Sequence, residues 1–94
     1  SATGYQAASS ATGDQSASSA TGGQSASSAT GYNAIAAAFG LSSKAMAGDT
    51  GVVIVSWWDV SAERKRLTIG YVGENGIDAD TWYCADSSGS LIEA

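Results

Sequence analysis

The carboxylates come first among the residues that could do chemistry. Glu74, Asp78 and Asp80 fall within seven positions and offer the oxygen donors that calcium takes. They lack the acidic spacing, central glycine and closing glutamate of an EF-hand loop, so they read as solvated loop charge. Asp59, Asp78, Asp80 and Asp86 are the residue type of a glycosidase pair, but that chemistry needs two carboxyl groups held across a cleft. Nothing in the spacing holds two there. Cys84 is the single cysteine and the chain has no histidine, which removes disulfide frameworks, most zinc sites and every His-based triad. Without a base to activate it, Cys84 is expected to behave as a small buried hydrophobe. The expectation is a protein that is not an enzyme, with no catalytic residue, metal or cofactor.

Binding chemistry is better represented. Trp57 and Trp58 are adjacent, and on a strand their side chains leave opposite faces, so one of them is exposed or covered by a neighbouring chain. Trp57, Trp58, Trp82 and Tyr83 read first as core and inter-chain packing; the functional reading is contact with a receptor, because exposed indoles stack on sugar rings or protein epitopes. Arg64-Lys65-Arg66 reads as solubility charge in a turn, with contact to an acidic receptor as the minority view. A net charge of −5 and a pI near 4.1 leave no basic face for phosphates, so no nucleic-acid partner is expected. No apolar run approaches the ~20 residues of a membrane helix, and no membrane insertion is expected.

The elements that would position these residues differ between two halves. Residues 49–94 read as an antiparallel β cap or tip domain. Gly51 to Trp58 is β-branched and aromatic on both parities, which predicts a central strand covered on both faces. Arg66 to Val72 is a second strand, with Leu67, Ile69 and Tyr71 on one side, that makes a hairpin with the first. Asn75-Gly76 is tight-turn chemistry, Thr81 to Ala85 a third strand, and Leu91 to Glu93 a short last one. The expected arrangement is a meander.

Residues 1–48 are periodic. Ala-Thr-Gly recurs at Ala2, Ala11, Ala20 and Ala29, a nine-residue step with the consensus Ser-Ala-Thr-Gly-x-Gln-Ser-Ala-Ser. Gly4, Gly13, Gly22 and Gly31 supply turns that permit positive φ, and the Ser/Ala/Thr stretches between them are of strand length. A flexible Gly/Ser linker is the competing reading, but linkers seldom hold a fixed order of residue types over several copies. In the last copy Ala17 and Ala26 become Ile35, Ser19 and Ser28 become Ala37, and Thr21 and Thr30 become Phe39. That single parity is taken as the inward face of the strand, and a helix over Ala34 to Phe39 is too short to stand alone between Gly31 and Gly40.

The fold class that follows is all-β, a repetitive β-solenoid or β-roll shaft and a small antiparallel cap. An Ala/Ser/Thr interior gains roughly 0.8 kcal/mol per buried carbon against about 1–2 kcal/mol per residue of ordering. Partner chains must supply the difference, and an intertwined homotrimer is expected. A thin solenoid with regularly spaced Thr3, Thr12, Thr21 and Thr30 also admits an ice- or surface-binding face as a lesser reading.

The tandem copies, the transition from Gly40 to Gly48, the strand Gly51 to Trp58 and the ending Asp80-Thr81-Trp82-Tyr83-Cys84 with Leu91-Ile92-Glu93 resemble the C-terminal parts of bacteriophage and prophage tail-fibre or tail-spike proteins. The repeats are also similar to the β-roll heads of trimeric autotransporter adhesins. The resemblance implies an extracellular, homotrimeric fibre end on a virion that binds a glycan or protein of a bacterial surface; a trimerisation module or a truncated adhesin are the alternatives. The His-x-His metal motif of some fibre tips is absent, and no site residue carries over. Ser1 starts inside a repeat, which suggests a piece of something longer.

Overall fold

The computed structural model describes residues 8–15, 17–21, 23–40 and 43–94. Residues 1–7 of the first repeat copy, with Thr3 and Gly4, and the turn glycine Gly22 lie outside these residues. Nine strands and no helix form the described chain: β1 (Ala8–Thr12), β2 (Ala17–Thr21), β3 (Ala26–Thr30), β4 (Ile35–Phe39), β5 (Lys44–Ala47), β6 (Val52–Asp59), β7 (Arg64–Tyr71), β8 (Tyr83–Ala85) and β9 (Leu91–Glu93). They make two open, mixed sheets, a five-stranded one in the order β1-β3-β5-β8-β9 and a four-stranded one in the order β2-β4-β6-β7.

The nine-residue period explains this order. Each repeat contributes one strand, and the next repeat contributes a strand to the other sheet. In-sheet neighbours are therefore two repeats apart and parallel: Ala8 pairs with Ala26, Ala17 with Ile35 and Ala26 with Lys44. The step from β4 to β6 is one residue shorter, Ile35 pairing with Val52. Parallel pairing thus continues through Val55 and crosses the expected boundary between residues 1–48 and 49–94.

The inward face is the opposite parity to the one expected. Ser18, Ala20, Ser27, Ala29, Ala36 and Ala38 are buried; of the residues expected inward, Ala37 is also buried at 7%, whereas Ile35 is 43% exposed and Phe39 only half-buried. Two inward residues per strand meet their counterparts on the facing sheet, and the interior has room for Ala, Ser and, one turn later, Val53 and Val55. Larger residues at Ile35 and Phe39 go outward because the space between such small side chains does not admit them. Three serines of the repeat interior are bonded to one another, while the buried Ser25 Oγ has no partner among the described residues. Ser18 Oγ donates to Ser9 Oγ at 2.9 Å and Ser27 Oγ to Ser18 Oγ at 2.9 Å, crossing between sheets at each step. Thr12 and Thr30 pair on one sheet while Thr21 lies on the other, so the threonines form no single array.

Corners stack as the strands do. Gln15 N donates to Tyr32 O at 2.8 Å and Asn33 N to Asp49 O at 3.1 Å, and Gln15, Asn33 and Thr50 all take left-handed φ, at 60°, 60° and 54°.

The C-terminal half is not a meander. It adds one antiparallel hairpin to each sheet: β6–β7, with Val52 opposite Tyr71 and Asp59 opposite Arg64, and β8–β9, with Cys84 opposite Ile92. The crossing between them turns at Asn75 and Gly76, both at positive φ, and drops Ile77 into the core. Gly70 makes room for that filling, since a Cβ there would strike Leu91 and Ile77 at 2.5 Å or less. The core therefore widens from Ser and Ala in the repeats to Val53 and Val55, and then to Ile77, Tyr83 and Leu91.

Candidate functional site

β4 and β6 pair only as far as Ala38 with Val55, whereas β6 and β7 pair on to Asp59 with Arg64. The last four residues of β6 therefore run beyond β4 as half of a two-stranded ribbon, and they include Trp57 and Trp58. Asp59 fastens the ribbon's turn. Its carboxylate accepts from Ser61 N at 3.1 Å, Ser61 Oγ at 2.9 Å and Ala62 N at 3.2 Å, and from Arg66 Nε at 2.6 Å. These donors, Arg66 foremost, hold the Asp59 carboxyl at a pKa of about 2, below its ordinary 3.8. Asp86 does the same for the β8–β9 turn, accepting from Ser88 N, Ser88 Oγ and Ser90 N at 2.8–2.9 Å, and those bonds lower its pKa as well.

Between ribbon and turn lies an open groove of about 440 Å³, lined among others by Ser43, Lys44, Trp57, Trp58, Cys84 and Asp86. Its floor is fixed. Trp57 lies against Gly89, where a Cβ would overlap the indole, and Thr68 Oγ1 donates to Gly89 O at 2.6 Å, tying β7 to the same turn. Ser43 Oγ and Ser56 Oγ both donate to Gly40 O, at 3.2 and 2.9 Å. Trp57 Nε1 is buried with no partner among the described residues. Trp58, on the outward side, is 48% exposed.

The four aromatic candidates part company here. Trp57 and Trp58 share the groove. Trp82 is half-buried on the outer side of the five-stranded sheet, with Lys44 Nζ 4.8 Å from its ring centroid, and it borders a shallower depression of about 300 Å³ over Ala8, Ser10, Ala26 and Ser28. Lys44 thus joins the two hollows. Tyr83, at 5% exposure, is a core residue whose hydroxyl accepts from Asp78 N at 2.7 Å. Lys44 and Ser43 were not legible as site residues in the sequence, and Asp86 only as one of four carboxylates considered for a glycosidase pair, because their meeting with Trp57 depends on β8 joining the sheet of β5. Cys84 is half-buried and unpaired, and the described residues contain no group of three His, Cys, Asp or Glu side chains able to hold a metal.

Two indoles, one ammonium, one carboxylate and several hydroxyls in an open trough suit a polar ligand with an apolar face, as a sugar ring has. No family model, curated protein or solved structure matches this chain.

Proposed function

We propose that this chain is the structural and receptor-binding tip of a fibre of the phage tail-fibre or tail-spike kind, which attaches to a bacterial surface without catalysing a reaction. In this reading the repeats form one end of a two-sheeted β-solenoid stem, three copies assemble around a common axis, and the groove at Trp57 and Trp58 takes a surface glycan.

The observation that carries the reading is the coupling of a repeat ladder to a projecting aromatic ribbon in one pair of continuous sheets. A stack built from Ala8–Thr12, Ala17–Thr21 and Ala26–Thr30, all with the sequence Ala-Ser-Ser-Ala-Thr, invests its residues in stiffness and position. The ligand-grade side chains come only where the stack ends. One open groove of this size is a weak site, and three on a rigid stem act together through effective concentration.

The test is binding of the intact chain to glycan arrays and to bacterial cells, alongside Trp58→Ala. Loss of about one stacked ring contact predicts a drop of roughly tenfold per site, amplified on a multivalent surface. Retention of all binding by Trp58→Ala, or absence of any host surface that binds, leaves a trimerisation and capping module. The apolar outer face of β4, β6 and β7 favours an assembly role of that kind in either case.

A further inference from the structure

The outer face of the four-stranded sheet carries large apolar side chains in register. One row is Ile35, Val52 and Tyr71, the next Ala37, Ile54 and Ile69, and Leu67 follows opposite Ser56. Ile35, Leu67, Ile69 and Tyr71 are exposed to 43%, 55%, 50% and 52%. At about 100 Å² each these four leave on the order of 400 Å² of apolar surface open, as much as the largest patch of an ordinary monomer and half of the ~800 Å² each partner gives to a standard interface. The half-buried Val52, Ile54 and Phe39 extend it.

The flanks of this face differ in charge: one carries only carboxylates, the other all the cations. Chain direction places every corner after β1, β3, β5 and β7 on one flank, with Asp14, Asp49, Glu74, Asp78 and Asp80 and no Lys or Arg. All four cations lie at the other flank, Lys44 opening β5 and Arg64, Lys65 and Arg66 opening β7, together with the carboxylates Asp59, Glu63 and Asp86 of the turns there. Arg66 is paired with Asp59, while Arg64 and Lys65 make no ion pair among the described residues.

We infer that the outer face of β4, β6 and β7 is the surface on which further copies of this chain dock, arranged cyclically about an axis parallel to the direction in which the strands stack. Such a rotation brings the acidic flank of each copy against the Arg64/Lys65 flank of the next and keeps the stems parallel. A rotation about an axis along the strands would set like flanks together and point the stems in opposite directions, so charge selects the first arrangement. The inference rests on the homo-oligomeric part of the proposed function and adds to it the face and the flank pairing.

Sedimentation velocity and carbodiimide cross-linking of the full chain test it. The unmodified chain is expected as an oligomer, with inter-chain links from Lys65 to Asp49 or Glu74. Ile69→Glu with Leu67→Glu is expected to give a monomer that keeps its β-sheet circular dichroism, because both side chains already face water. Arg64→Glu with Lys65→Glu is expected to weaken association at least about tenfold, and Asp49→Lys with Glu74→Lys in the same chain to restore it. An oligomer unmoved by Ile69→Glu and Leu67→Glu, or charge reversals without effect or without rescue, overturns the assigned face while homo-oligomerisation stands. A monomeric unmodified chain overturns both. Should Ile69→Glu with Leu67→Glu unfold, the charge reversal and its rescue decide alone.

Discussion

A Cβ built on Gly48 would lie 2.6 Å from the carbonyl oxygen of Gly31. Gly31 stands in the same relation to Gly13, so the glycines of alternate repeats form a column in which each backbone leans on the one before. Gly31 also needs its left-handed φ of 133°, whereas Gly48 has no such need.

Gly48→Ala therefore isolates the steric requirement. It should destabilise the fold by about 1–3 kcal/mol through overpacking against an unyielding carbonyl, and Gly31→Ala by more, since strain at φ adds to the clash. Denaturant unfolding of both variants checks the order; equal effects would show that close approach, not φ, sets the cost.

The Ser9–Ser18–Ser27 chain predicts a non-additive series. Ser18→Ala leaves the buried Ser27 hydroxyl without its acceptor, a loss of about 1–3 kcal/mol, whereas replacing all three serines with alanine removes every orphan and should be milder than three single losses added together. A triple variant that loses the sum of its parts would refute this coupling.

Acid should loosen the ribbon first. The Asp59 carboxyl, at about 2 when folded against 3.8 in ordinary surroundings, gives a stabilising contribution that is present above pH 4 and is lost as pH falls through 2. Asp86 contributes with the same sign. Carboxyl titration by NMR should place Asp59 well below the ordinary aspartate value of 3.8, and Asp59→Asn should flatten the acid limb of the melting curve.

Tyr83→Phe removes only the hydroxyl that accepts from Asp78 N. A loss of about 1 kcal/mol is expected, with faster hydrogen exchange at Asp78. An unchanged exchange rate would mean that water replaces the hydroxyl and that Ile77 and the Asp80 N–Ala47 O bond suffice to hold the crossing to β8.

Much of the fold was legible. The nine-residue step announced a strand per repeat, Leu91–Glu93 was placed to the residue, and the β6–β7 hairpin was expected from its β-branched and aromatic residues. Parity was misread, because large residues at Ile35 and Phe39 look like core fillers when the size of the interior is unknown. The sheet that receives β8 was not legible either. Tyr83 and Leu91 could serve a meander or a second hairpin equally well by pattern, and it is the bond from Asp80 N to Ala47 O, 2.8 Å, the Ala45–Tyr83 pairing and the Lys44–Trp82 contact that join this segment to β5. The groove inherits that difficulty, since Lys44 and Asp86 come to Trp57 only through that choice.

Pairing across two repeats makes this architecture a poor spacer and a good ruler. Eighteen residues, from Ala8 to Ala26, advance by one inter-strand gap of about 4.8 Å, so each nonapeptide adds only about 2.4 Å, where the same nine residues fully extended would reach roughly 30 Å. Gain or loss of a single repeat would move every element before it to the opposite sheet by half a rung, and the length of the stack would change in steps of only about 2.4 Å.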